Sequence, residues 1–123
     1  MTRKEFEKLI VETYGIKPDY PFKDNSATVF RHENSKKWFA IMMTIDKSKL
    51  EPRKKGQLDI VNLKCADEII SSLWQETGIY PAYHMNKSHW LSIALDGSVD
   101  DKTIGWLLGI SYELTGKKSN RKI

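Results

Sequence analysis

The sequence predicts an α+β protein, a two-layer sandwich in which a five-stranded, mostly antiparallel sheet carries its helices on one face. Three observations point there. Apolar residues recur at helical spacing near both ends of the chain and once in between. Five runs of alternating or β-branched apolar residues separate those stretches. The length, 123 residues, suits one core, and neither a repeat nor an interdomain linker interrupts it. The resulting order is α-β(3)-α-β(2)-α.

Each element follows from local pattern. Thr2 and Glu5 have capping-box spacing, Phe6, Leu9, Ile10 and Tyr14 follow at helical intervals, and Gly15 stops the helix. Pro18, Pro21 and Lys23-Asp-Asn-Ser make residues 15–26 a loop. Ala27 to His32 and Lys37 to Asp46 read as strands joined by a polar turn. In the second strand Phe39, Ile41, Met43 and Ile45 share one face, while Trp38, Ala40 and Met42 make the other apolar too. A half-solvated strand alternates more cleanly, so something covers or binds that second face. Leu58 to Cys65 is the third strand. A helix over Asp67 to Thr77 turns Ile69, Ile70, Leu73 and Trp74 inward, with Gly78 as its stop. Tyr80 to Met85 and His89 to Leu95 then read as a hairpin around Asn86-Lys87. Ser98 with Asp101 caps a last helix, Val99 to Thr115, closed by Gly116. On that helix Ile104, Leu107, Leu108, Tyr112 and Leu114 face the core. Trp106, Ile110 and Val99 widen the apolar surface beside Gly105 and Gly109, which fits contact with the first helix or self-association as a homodimer.

Composition excludes several function classes. Hydrophobic residues at 40% and charged residues at 29% are ordinary for a globular chain. No apolar run is long enough for a membrane span, and the charged N-terminus lacks a signal-peptide core. The one cysteine, Cys65, provides no disulfide framework. These features predict a cytoplasmic protein without membrane attachment. The net charge of +4 comes from the last seven residues, because without Lys117, Lys118, Arg121 and Lys122 cations and acids balance at 16 each. Residues 117–123 are expected to be a disordered tail after a single domain over 1–116. Bulk charge therefore gives no argument for nucleic acid. One local patch does: Lys47, Lys49, Arg53, Lys54 and Lys55 crowd a loop marked by Pro52 and Gly56.

The chemistry-bearing side chains predict neither catalysis nor a cofactor. His84 and His89 flank a turn, but Cys65 and Asp96 stand at no ligand spacing, so no metal is expected. Cys65 has no nucleophile elbow around it, and the seven glycines form no phosphate loop. Trp38, Met42 and Trp90 are the remaining feature, a possible apolar platform on strands.

At Pro81-Ala-Tyr83-His84-Met85-Asn86-Lys87-Ser-His89-Trp90 the sequence resembles the MmcQ/YjbR family of small bacterial proteins. Tyr20-Pro21-Phe22, Val61-Asn62-Leu63-Lys64-Cys65, Leu95-Asp96-Gly97-Ser98-Val99 and Ser111-Tyr112-Glu113-Leu114 match in order, so the likeness runs from about residue 3 to 116. Ala82 stands where glycine is expected, and Ala66-Asp67 lacks a common helix-starting proline. The resemblance implies a fold similar to the type III secretion chaperone class. It also implies double-stranded DNA binding through two projecting hairpins, a double wing. Here the wings would be the 31–37 turn, with Arg31, His32, Lys36 and Lys37, and the 47–55 loop.

Two expectations follow. In the first, Arg31, Lys36, Lys37, Lys47, Lys49, Arg53, Lys54 and Lys55 contact phosphates with little base reading. In the second, a protein or small ligand binds an apolar sheet face built on Trp38, Met42 and Trp90. The string Tyr83, His84, Met85, Asn86, Lys87, His89 and Trp90 has a family likeness but no chemical role assigned.

Overall fold

The computed structural model describes residues 1–116, and the predicted tail at 117–123 lies outside the described residues. Helix α1 (Arg3–Tyr14) opens with the capping box: Glu5 N–H donates to Thr2 Oγ1 (3.1 Å) and Thr2 N–H to Glu5 Oε1 (2.7 Å). It ends at Gly15 in the left-handed region, φ 69°. Strands β1 (Ala27–Arg31), β2 (Trp38–Asp46) and β3 (Gln57–Lys64) follow, with a short 3₁₀ turn at Lys47–Lys49. Then come α2 (Asp67–Leu73), β4 (Ile79–Pro81), β5 (Trp90–Ala94) and α3 (Asp101–Gly116). The five strands lie in the order β1-β2-β3-β5-β4, each neighbouring pair antiparallel.

One face of this sheet holds the main core. Phe6 and Ile10 of α1, Ile70 of α2, and Ile104, Leu107 and Leu108 of α3 pack on Phe30, Met42, Leu63, Leu91 and Ile93. Each large apolar side chain buried this way contributes about 1.5–3 kcal/mol. Arg3 pins the start of α1 across the rim, donating to Thr44 Oγ1 (2.9 Å) and Thr28 Oγ1 (3.1 Å).

The face assignment within β2 differs from simple alternation, and a β-bulge is the reason. Phe30 pairs with Ala40 but Arg31 pairs with Trp38, so Phe39 is the extra residue. The bulge resets the parity. Phe39, Ala40 and Met42 all enter the core under the helices, whereas Trp38 joins Ile41 and Met43 on the opposite face. Met42, expected beside Trp38, is 0% exposed and belongs to the helix side.

Among the described residues the opposite face carries no second layer of helices, yet Val29, Ile41, Leu58, Ile60 and Ala94 are buried there. Three loops cover it. The segment before β1 forms a bridge, Asp19 with Val29, through two backbone hydrogen bonds of 2.8 Å. The β4–β5 connection lays Tyr83 and Met85 over the sheet, and Leu50 closes the far end.

Several boundaries also moved. The predicted hairpin around Asn86-Lys87 is an eight-residue connection, 82–89, between a three-residue β4 and β5. Helix α2 ends at Leu73 rather than Thr77. Helix α3 begins at Asp101, where Asp100 Oδ1 accepts from Thr103 N–H (2.7 Å), while Ser98 bonds to Asp96 instead. Val99 is buried, Ile110 packs against the core, and Trp106 is exposed. Ser111 and Thr115 occupy buried positions of α3 alongside the leucines. Among the described residues no helix is long and apolar enough to cross a membrane.

Candidate functional site

The three covering loops do not close completely. Between two of them lies a cleft of about 450 Å³. Its floor is Ile41, Met43 and Ile45 of β2, successive residues on one side of a strand, beside Asn62 of β3. One wall is Phe22 and Trp38, whose rings meet edge to face at 6.2 Å. The other is Tyr83, His84 and Met85. Among the described residues that line it there is no carboxylate, ammonium or guanidinium group.

Local chemistry sets both walls. Asn25, at φ 55°, turns the chain so that its N–H meets the Phe22 carbonyl (3.0 Å), and Asp24 accepts from Ser26 N–H (3.0 Å). That turn lays Phe22 on Trp38. Hydrogen bonding from the Ser26 side chain, followed by that from its N–H, holds the Asp24 carboxyl below its ordinary pKa. On the other wall Tyr83 is gripped at both backbone groups. Its N–H donates to Ser92 Oγ (2.9 Å), and its carbonyl accepts from Asn62 Nδ2 (2.9 Å). Ser92 Oγ in turn donates to Asn62 Oδ1, closing the ring. His84 follows at φ 60°, with its ring 3.9 Å from that of Tyr83.

The rest of the family-like string anchors this wall. Asn86 accepts through its carbonyl from His89 N–H (3.1 Å) and Trp90 N–H (2.9 Å), and through Oδ1 from Ser88 N–H (2.8 Å). His89 reaches α2, its Nδ1 lying 2.7 Å from Asp67 Oδ1, while its carbonyl accepts from Cys65 N–H (2.8 Å). Trp90 packs with Met85 and Trp38 on the cleft side, and Lys87 stays exposed. No group of three metal-ligating side chains occurs among the described residues. His84 faces the cleft and His89 faces Asp67, so the two imidazoles serve different neighbours.

The cations expected to meet phosphate are divided between opposite ends of β2. Arg31, Lys36 and Lys37 lie at its Trp38 end, and Lys47, Lys49, Arg53, Lys54 and Lys55 at its Asp46 end. Eight residue steps at about 3.3 Å separate those ends by about 26 Å. Two are already engaged. Arg31 pairs with Asp19 (2.7 Å) and stands over the Trp38 ring (5.7 Å), and Lys54 pairs with Glu51 (3.4 Å). Glu51 also accepts from Tyr80 Oη (2.6 Å), which ties the basic loop to the sheet. Burial, followed by that bond to Glu51, pushes the Tyr80 phenol up to about 12. Lys47 is half-buried, whereas Lys36, Lys37, Lys49, Arg53, Lys54 and Lys55 are exposed. His32, counted with the first wing, is buried beneath Thr115.

Of the residues named from sequence for an apolar face, Trp38 lines the cleft, Trp90 packs beside it and Met42 lies on the other side of the sheet. Tyr83, His84 and Met85 were named only as a family-like string, and Phe22, Ile41, Met43, Ile45 and Asn62 were not named as site residues. Signals for two of these were present. Phe22 lay in the Tyr20-Pro21-Phe22 match, and Asn62 is a lone amide inside an apolar strand.

Comparison with known proteins agrees with this architecture. The chain is 39% identical over 117 residues to the uncharacterized protein YyaQ of Bacillus subtilis (strain 168), covering 94% of this chain and 98% of that one. Uncharacterized protein YjbR of Escherichia coli (strain K12) matches at 39% over 54 residues, 43% of this chain and 46% of that one. A crystal structure from Pseudomonas syringae superposes with a TM-score of 0.90 at 38% identity, covering 94% of this chain and 99% of the other. Deinococcus radiodurans protein DR2400, a DUF419 domain, gives 0.74 at 28% identity, covering 98% and 83%. The YjbR family model matches residues 11–114, which take in all five strands, α2, most of α3 and the last turn of α1. The chain belongs to the YjbR family.

Proposed function

We propose that this protein is a non-catalytic binding domain that holds a small, uncharged and largely apolar molecule in the open-face cleft. The observation that carries the reading is the cleft's lining: a volume of about 450 Å³ walled by Phe22, Trp38 and Met85, with no carboxylate, ammonium or guanidinium group among the lining residues. Such a size and composition suit small-molecule sites, which pair apolar walls with a few placed polar groups. A fixed charge brought there would lose its water and meet no fixed opposite charge among the lining residues. Cys65 offers no nucleophile for a covalent mechanism, because its thiol is buried and pushed up by that burial, a poor setting for a thiolate.

A neutral fluorescent probe tests this. N-phenylnaphthylamine should brighten and saturate at one site on the native protein. Met85→Trp, which fills the cleft from its exposed wall, should remove that signal while leaving the circular dichroism unchanged. Equal brightening by both proteins would sink the reading.

Phosphate contact through the two basic loops is the second reading, supported by six exposed cations. Their division over about 26 Å, with the apolar cleft between, makes it the less favoured one. Reversing Lys49, Arg53 and Lys55 to Glu should leave duplex binding at low salt unchanged. A loss of strong, steeply salt-dependent binding in that variant would reinstate the wings.

A further inference from the structure

We propose that the outer face of α3 pairs with the α3 of a second copy of this chain, antiparallel, in a two-fold dimer. This face lies on the helix side of the sheet, away from the cleft, and does not depend on what the cleft holds. Ile104, Leu107, Leu108, Ser111 and Thr115 turn one side of α3 into the core. At about 100° per residue, Lys102, Trp106, Gly109 and Glu113 lie opposite them within an arc of about 60°. Lys102, Trp106 and Glu113 are exposed. Their steps of four, three and four residues are those of a helix–helix seam.

The seam is complementary to itself. Trp106 is 53% exposed, although a tryptophan buries about 150–250 Å² when it has a core or an interface to enter. Gly109 leaves room nearby, since a Cβ there or at Gly105 would have no neighbour within 4 Å. In a two-fold antiparallel pair centred level with the Leu107–Leu108 peptide, each position meets the one equally far beyond that centre. Trp106 of each copy then faces Gly109 of the other, a knob over a hole. The same register sets Lys102 of each copy against Glu113 of the other, so the ion pair forms twice. Neither residue has an ion-pair partner among the described residues. A parallel pair in register would instead set Lys102 against Lys102 and Glu113 against Glu113. One antiparallel alignment thus satisfies the shape and the charge together, which points to a second copy as the occupant.

Sedimentation equilibrium of the full chain, over a concentration series reaching millimolar, reads the association. The native protein should pass from monomer to dimer. Trp106→Ala should weaken the dimer about a hundredfold, because the knob is lost twice. Lys102→Glu turns two attractions into two repulsions and should weaken it about tenfold. Combining Lys102→Glu with Glu113→Lys exchanges the charges and should restore the native affinity. All three positions are exposed, so circular dichroism should be the same in every variant. A native chain that stays monomeric throughout overturns the proposal and leaves the stripe to a different partner. A dimer indifferent to Trp106→Ala, or one that the charge exchange fails to restore, overturns it as well.

Discussion

The Ser111 hydroxyl takes the place of a rung in the sheet. Its Oγ donates to the Phe39 carbonyl (2.6 Å) and accepts from Lys64 N–H (2.9 Å). Continuing the β2–β3 register one step beyond Ala40 and Leu63 would bring Phe39 opposite Lys64, but the bulge at Phe39 prevents direct pairing. The hydroxyl from α3 relays the bond between them. It thereby fixes the bulge that turns Trp38 toward the cleft and Phe39 toward the core.

Ser111→Ala should therefore cost more than a lost methylene-sized contact. It leaves a buried carbonyl and a part-buried N–H unpaired, about 1–3 kcal/mol for such a group. Urea unfolding at neutral pH measures this, and a change below about 0.5 kcal/mol, the level of an ordinary surface substitution, would show the relay to be dispensable.

The bulge also explains what was legible in the sequence. Element types and order follow from apolar period, caps and glycines, and those signals are local. Face assignment in β2 is not, because the extra residue depends on how β1 pairs, and alternation alone puts Met42 beside Trp38. The cap of α3 is ambiguous in the sequence for a similar reason. Ser98 and Asp100 are both good capping residues, and only the turn at Asp96 decides between them. The cleft was half legible. Apolar residues on both faces of β2 showed that its second face is covered or occupied, but which loops cover it depends on long-range bonds such as Asn62 to Tyr83.

His32 gives the fold an acid-sensitive point. Thr115 Oγ1 donates to the Ser111 carbonyl (2.7 Å), so it accepts from His32 Nε2–H (2.8 Å), and the ring packs on Tyr112 at 4.4 Å and Phe39 at 5.1 Å. Desolvation holds the His32 pKa below its ordinary value. The unfolded chain then binds the proton more readily than the folded one. This contribution is complete above the unfolded value of about 6.5 and is lost as pH falls through the lower folded value. The urea midpoint should decline from neutrality into that acidic range in the native protein and decline less in His32→Gln. Parallel profiles for the two would contradict this.

Gly78 and Gly97 separate two kinds of glycine requirement. Both have positive φ, 88° and 89°, but a Cβ on Gly78 would lie 2.3 Å from Ser98 Oγ and 2.7 Å from Val99 Cγ2, whereas Gly97 has open space. Gly97→Ala should cost about 1–2 kcal/mol from backbone strain alone. Gly78→Ala adds a steric clash of about 1–3 kcal/mol. Chemical denaturation of both variants checks the order, and equal losses would mean that Ser98 and Val99 yield freely.

The methionines offer the most direct measurement of the central claim. Met43 lies on the cleft floor and Met85 on its wall, while Met42 is buried under the helices and Met1 packs by α1. Methionine-methyl-labelled protein titrated with N-phenylnaphthylamine should show saturable shifts at Met43 and Met85, with Met42 and Met1 unmoved. Shifts confined to Met1 or Met42, or no saturable shift at all, would contradict ligand binding on the open face of the sheet.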